Sequence, residues 1–130
     1  MAQTRSAEGN QLSMDAIWAD FLKTKVNSFI KWDLVRFFHN NPYTVDTADN
    51  IAACVARDTD TVRAEMDELV RAGILEASEK AQGFIYRLTT TPETRQLVEN
   101  FIKACHDRNF RVEMINVIIK LGNLSPRYDF

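Results

Sequence analysis

The stretch Thr61-Val62-Arg63-Ala64-Glu65-Met66-Asp67-Glu68-Leu69-Val70-Arg71-Ala72-Gly73-Ile74-Leu75 decides how this chain is read. Val62, Met66, Leu69 and Val70 fall at the three-and-four spacing of one helix face, and Gly73 follows where a helix ends in a left-handed turn. Ile74 and Leu75 then begin an extended segment that covers the edge of the core. Upstream, Thr47 precedes Ile51, Ala52 and Val55, which share another helix face, and Arg57-Asp58-Thr59 interrupts the pattern. Two short helices joined by a tight turn are predicted, with one of Asp58 and Asp60 capping the second. Downstream, Lys80-Ala81-Gln82-Gly83 is turn-like and Phe84, Tyr86 and Leu88 alternate with Ile85 and Arg87. That pattern predicts a two-stranded hairpin.

Working outward, Met14, Ile17, Trp18 and Phe21 repeat at helical spacing, with Ser13 placed to cap, and predict a short amphipathic helix. A polar step at Lys23-Thr24-Lys25 leads to the apolar run from Ser28 to Asn40, a helix predicted to bury two faces and to end at Asn40-Asn41-Pro42. After the hairpin, Thr91-Pro92-Glu93 is a helix start, and a single long helix is predicted to run to about Leu121. From Phe110 onward its apolar residues surround most of the axis, which predicts burial on several sides, against the N-terminal helices and a partner subunit. Residues 1–12 offer almost no large apolar side chain and are expected to be a loose tail, as are residues 122–130; residues 13–121 are expected to form one domain.

The composition agrees with one domain. In 130 residues, 45% are hydrophobic, 26% charged, and only seven are Gly or Pro. A net charge of −2 leaves no basic excess for nonspecific nucleic-acid or membrane binding, so any nucleic-acid contact must come from a local patch. No apolar stretch approaches the ~20 residues of a membrane span, and the opening MAQTRSAEGNQLS lacks an apolar signal region, so a cytoplasmic location is expected. Cys54 and Cys105 are expected to be reduced core residues. Cys105-His106-Asp107 points in three directions on a helix, and His39 is the other histidine, so a four-ligand zinc site lacks partners. With no nucleophile, orienting base or phosphate loop in view, no catalytic role, metal or cofactor is expected.

The order of helix, helix, turn, helix and hairpin over residues 30–90 resembles the winged helix-turn-helix superfamily, as in bacterial transcription regulators of the MarR, PadR and ArsR type. Leu34 to Pro42 resembles its first helix, Thr47 to Ala52 its second, and Thr61 to Leu75 its recognition helix, glycine stop and first wing strand. The resemblance implies a mainly α fold: a three-helix core and a two-stranded wing, here with an extra N-terminal helix and a long C-terminal one. It also implies a DNA-binding homodimer, its recognition helix entering the major groove. The DNA contacts it implies are Arg57, Thr59, Thr61, Arg63, Lys80 and Arg87. Trp18, Phe21, Trp32, Phe110, Met114 and Ile118 are the expected dimer interface.

The segment 42–91 carries five basic and nine acidic residues, a net −4, whereas residues 1–41 and 92–130 each sum to +1. Two readings follow. Either Arg57 and Arg63 reach DNA from an acidic head, with Lys23, Lys25, Lys31 and Arg36, or Arg108 and Arg111, as a basic flank, or the head binds a basic protein partner instead of DNA. The aromatics Trp18, Phe21, Phe29, Trp32, Phe37 and Phe38 are expected to form core and dimer contacts in preference to a ligand pocket.

Overall fold

The computed structural model describes residues 14–123. Among them are six helices and three short strands in the order α1 (Ala16–Thr24), α2 (Phe29–Asn40), β1 (Val45–Thr47), α3 (Ala48–Val55), α4 (Thr59–Arg71), β2 (Leu75–Lys80), β3 (Gly83–Leu88), α5 (Pro92–Ala104) and α6 (Arg108–Asn123). The architecture is mainly helical with one small antiparallel sheet. The expected tails and the Ser13 cap lie wholly or largely outside the described residues, and Asp15 occupies the N-cap of α1.

Local chemistry sets most of the boundaries. Ser28 accepts a hydrogen bond from the Lys31 N–H at 3.1 Å to open α2, and Asp58 accepts from the Thr61 N–H at 3.0 Å to open α4. At the far end of α4, Gly73 adopts φ +84° while its N–H donates to Val70 O and the Ile74 N–H donates to Leu69 O. This paired closure turns the chain directly into β2. The end of α3 uses the same left-handed conformation at Ala56, φ 58°, although Ala has the Cβ that makes it unfavourable.

The expected two-stranded hairpin has a third member. β1 pairs with β3 through Val45↔Arg87, Asp46↔Tyr86 and Thr47↔Ile85, giving the sheet order β1-β3-β2. Three residues carry too little alternation to announce a strand, and it is the pairing with β3 that extends them.

The single long C-terminal helix is corrected to two. Cys105 ends α5, and the Asp107 carboxylate accepts from the Phe110 N–H at 2.8 Å, so a new helix starts there. The break folds α6 back onto α1. Trp18, Phe21, Phe101 and Phe110 then meet, with ring centroids 4.8 to 6.3 Å apart, inside one core that continues through Leu34, Phe38, Val62, Met66 and Leu69.

That packing draws three of the six residues expected at a dimer interface into the chain's own core. Phe21, Met114 and Ile118 are buried within the chain, and Trp18, Trp32 and Phe110 pack partly buried against the same core. The break after Ala104 supplies the covering that one straight helix would have lacked. The apolar side chains left in water here are Ile17 on α1 and Val112 and Ile119, one heptad apart, on α6. Cys54 is also corrected: it is exposed, whereas Cys105 is buried. No helix among the described residues is long and apolar enough to cross a membrane.

Candidate nucleic-acid interface

Four of the six residues expected to touch DNA gather around the N-terminal end of α4. Arg57 sits in the turn after Ala56, Thr59 and Thr61 in the first turn of α4, and Arg63 one step along its exposed face. Lys80 stands at the end of β2, its exposed side chain without a hydrogen bond or ion pair among the described residues. Arg87 is exposed on β3 opposite Glu76, so the sheet register holds it away from the helix end.

Both arginines already have carboxylate partners. The Arg57 guanidinium donates through Nε and Nη2 to Asp33 Oδ2 at 3.0 and 2.6 Å, and Asp33 Oδ1 accepts from Arg36 at 2.8 Å. Arg63 donates to Asp60 at 2.9 Å and approaches Asp49 at 3.5 Å. The Thr61 hydroxyl is likewise engaged, donating to Asp58 Oδ2 at 3.0 Å. Hydrogen bonds from Thr61 hold the Asp58 carboxyl below the usual range, so this helix N-terminus carries a negative charge of its own.

Between α4, the start of α3 and the hairpin lies an open crevice of about 530 Å³, lined by Thr47, Asp49, Arg63, Asp67, Phe84 and Tyr86. The Tyr86 hydroxyl donates to Asp67 at 2.8 Å; burial, and then the Asp67 carboxylate, push the phenol up to about 12. Tyr86 thus fixes β3 to α4 and leaves Phe84, 54% exposed, at the lip of the crevice.

Behind α4 the charges are arranged differently. Lys31, 2% exposed, donates to Glu65 at 2.7 Å, to Asn27 at 2.9 Å and to Glu68, while Ser28 Oγ donates to Glu65 at 3.0 Å. Two of the nine acidic residues in 42–91 are therefore turned away from the crevice and matched by a lysine from α2. The basic flank expected from Lys23, Lys25, Lys31 and Arg36 is corrected accordingly. Lys31 is buried, Lys25 donates to the Ala72 carbonyl at 2.8 Å, and Arg36 is paired with Asp33. Arg108 is exposed at the start of α6, and Arg111 sits one turn further on, donating to the carbonyls that end α5.

Sequence reasoning missed the Lys31 cluster, although the signal was there. Glu65 lies on the Val62, Met66 and Leu69 face of α4, and Lys31 interrupts an apolar run. Two opposite charges on two core faces of neighbouring helices indicate a buried pair. Among the described residues no group of three His, Cys, Asp or Glu side chains is placed to hold a metal ion. No family model matches the chain, and no curated protein or solved structure matches it either.

Proposed function

We infer that residues 29–88 form a winged helix-turn-helix and that the protein is a non-catalytic, DNA-binding transcription regulator. One observation carries this reading. The short turn after α3 leads into a capped helix whose N-terminal end is exposed beside a hairpin, with Arg57 and Arg63 near that end and Lys80 at the end of β2. A helix held in this way fits the major groove while the hairpin meets the flanking backbone.

The carboxylate partners do not oppose it on energetic grounds. Exposed ion pairs contribute about 0–1 kcal/mol, so a phosphate or a guanine edge that offers Arg57 or Arg63 a comparable bond displaces them readily. Asp58, Asp60 and Asp49 instead repel the uniform charge of the duplex, which suppresses nonspecific binding and leaves discrimination to the base contacts. Self-association through Ile17, Val112 and Ile119 would set two such helices in adjacent grooves.

Selection of genomic duplex fragments by the purified protein, followed by anisotropy titration at about 50 and about 200 mM salt, tests the reading. A two-fold symmetric site whose binding is abolished by Arg57→Ala with Arg63→Ala, in a protein that remains folded, is the expected result. A folded protein that enriches no fragment overturns it. A second reading is favoured by the two arginines being paired already: the acidic face, with Asp60 and Asp67 at its centre, binds a basic protein partner. Under that reading Asp60→Lys with Asp67→Lys weakens capture of the partner.

A further inference from the structure

A cleft of about 280 Å³ lies away from the α4 end, where the C-terminal half of α2 meets the junction of α5 and α6. Its walls are Trp32, Ile102 and Cys105, and its polar rim is Arg36, Asn40, His106 and Arg111. Among the described residues no carboxylate lines it.

Each polar group at this cleft has donor capacity left over. Arg111 uses Nη1 alone, on Cys105 O at 2.9 Å and His106 O at 3.1 Å, which fixes the guanidinium and leaves Nε and Nη2 without partners among the described residues. Arg36 uses Nη2 on Asp33 and rests over the Trp32 ring, 4.9 Å from its centroid. The Trp32 Nε1–H is buried and lacks a hydrogen-bond acceptor among the described residues. It faces the Cys105 sulfur, a weak acceptor at best. A buried donor left unmatched is uncommon and destabilising, and marks a place where an acceptor would be welcome.

The thiol does not supply the missing negative charge. Burial pushes Cys105 up to about 11, against the opposing pull of Trp32, Arg36 and Arg111, so it is neutral at pH 7, and its hydrogen points to Met114 Sδ at 3.9 Å. Both guanidiniums border the cleft, that of Arg36 shared with Asp33, and among the described residues no carboxylate lines it.

We propose that this cleft is a binding site for a small organic carboxylate, with Arg111 and Arg36 holding the carboxylate and Ile102 and Cys105 meeting an apolar body. The fork of Arg111 is already oriented by two carbonyls, so one carboxylate gains two parallel hydrogen bonds at little conformational cost. The volume of about 280 Å³ falls just below the roughly 300–1,000 Å³ range of ligand cavities, which limits the body to a few carbon atoms. The site is independent of whether the protein binds DNA.

Calorimetric titration of the full chain with hexanoate, hexanamide and inorganic phosphate tests the assignment without DNA. Hexanoate should bind one per chain, with hexanamide at least about tenfold weaker because it lacks the charge that strengthens the hydrogen bonds. Arg111→Gln should weaken hexanoate by a similar factor. Because Arg111 also ends α5, Arg36→Gln, whose side chain is half exposed, is the second variant and should weaken binding in a protein with unchanged melting. No heat with hexanoate up to about 10 mM, a concentration that would reveal even a millimolar Kd, overturns the proposal. So does binding that both variants leave intact, or phosphate or hexanamide binding as tightly as hexanoate.

Discussion

The two sides of α4 carry the same kinds of charged group in opposite settings. On the outer side, Arg63 with Asp60 and Asp49, and nearby Arg57 with Asp33, stand in water, where each pair is worth little and can be exchanged for another partner. On the inner side, Lys31 and Glu65 have almost no contact with solvent, and their removal from water is repaid only because Asn27, Ser28 and Glu68 complete the hydrogen bonding. One side fixes how α4 sits on α2, and the other remains free to be rewired.

The inner side should show the largest effect. Lys31→Met leaves the Glu65 carboxylate buried beside an apolar side chain, a change that costs about 3–5 kcal/mol in comparable settings. Urea titration of the variant should give a midpoint far below that of the parent. Lys31→Met with Glu65→Leu should recover most of the loss, since no buried charge is then stranded. A Lys31→Met protein as stable as the parent would mean that the inner pair resembles the outer ones after all.

The C-terminal ends of α3 and α4 offer a smaller test. Gly73 and Ala56 adopt the same left-handed conformation, and a Cβ at Gly73 would meet nothing within 4 Å. Only backbone strain therefore separates the two positions. Gly73→Ala should lose about 1–2 kcal/mol and Ala56→Gly should gain up to about as much, less the added freedom of glycine in the unfolded chain. Opposite shifts in melting temperature are the expected result; shifts of the same sign would show that packing, not φ, governs these turns.

Acid should act on the exposed carboxylates that hydrogen bonds hold low. Asp58 is lowered by Thr61, Glu99 by His39, and Glu76 by Thr90, so each folded pKa lies below its unfolded value of 3.8 or 4.5. Their contributions are present above those values and are lost as pH falls through the folded ones. Thermal melts between pH 3 and 6 should therefore stay level down to about pH 4.5 and then decline. Asp58→Asn, which keeps the capping oxygen, should flatten that decline.

The sequence made local signals on both sides of α4 far more legible than the distant pairings. Val62, Met66, Leu69, Gly73 and the Asp58 cap are local signals, readable at fixed spacing, and the helices and hairpin they predicted are present. The partners of Arg57 and Lys31 lie 24 and 34 residues away, and no periodicity links Asp33 to Arg57 or Lys31 to Glu65. The strand β1 and the fold-back of α6 have the same origin. Each depends on a surface contributed by a distant segment, and the fold-back moved Phe21, Met114 and Ile118 from an expected interface into the core.

The smallest expected change in stability is also the one that speaks most directly to the outer side. Asp60 is 90% exposed along its side chain and pairs with Arg63 across one turn of α4, so Asp60→Asn should alter stability by no more than about 0.5 kcal/mol. Its effect on binding separates the two functional readings because it changes one charge and leaves the fold alone. If Arg63 meets DNA, removing the carboxylate frees the guanidinium and lessens repulsion of the phosphates, so affinity for the selected duplex rises severalfold and its salt dependence steepens. If the acidic face meets a basic protein, the same substitution removes an attractive charge, and the association rate falls most at low salt. Opposite signs from one uncharged substitution make Asp60 the most economical position at which to ask what the exposed side of α4 is for.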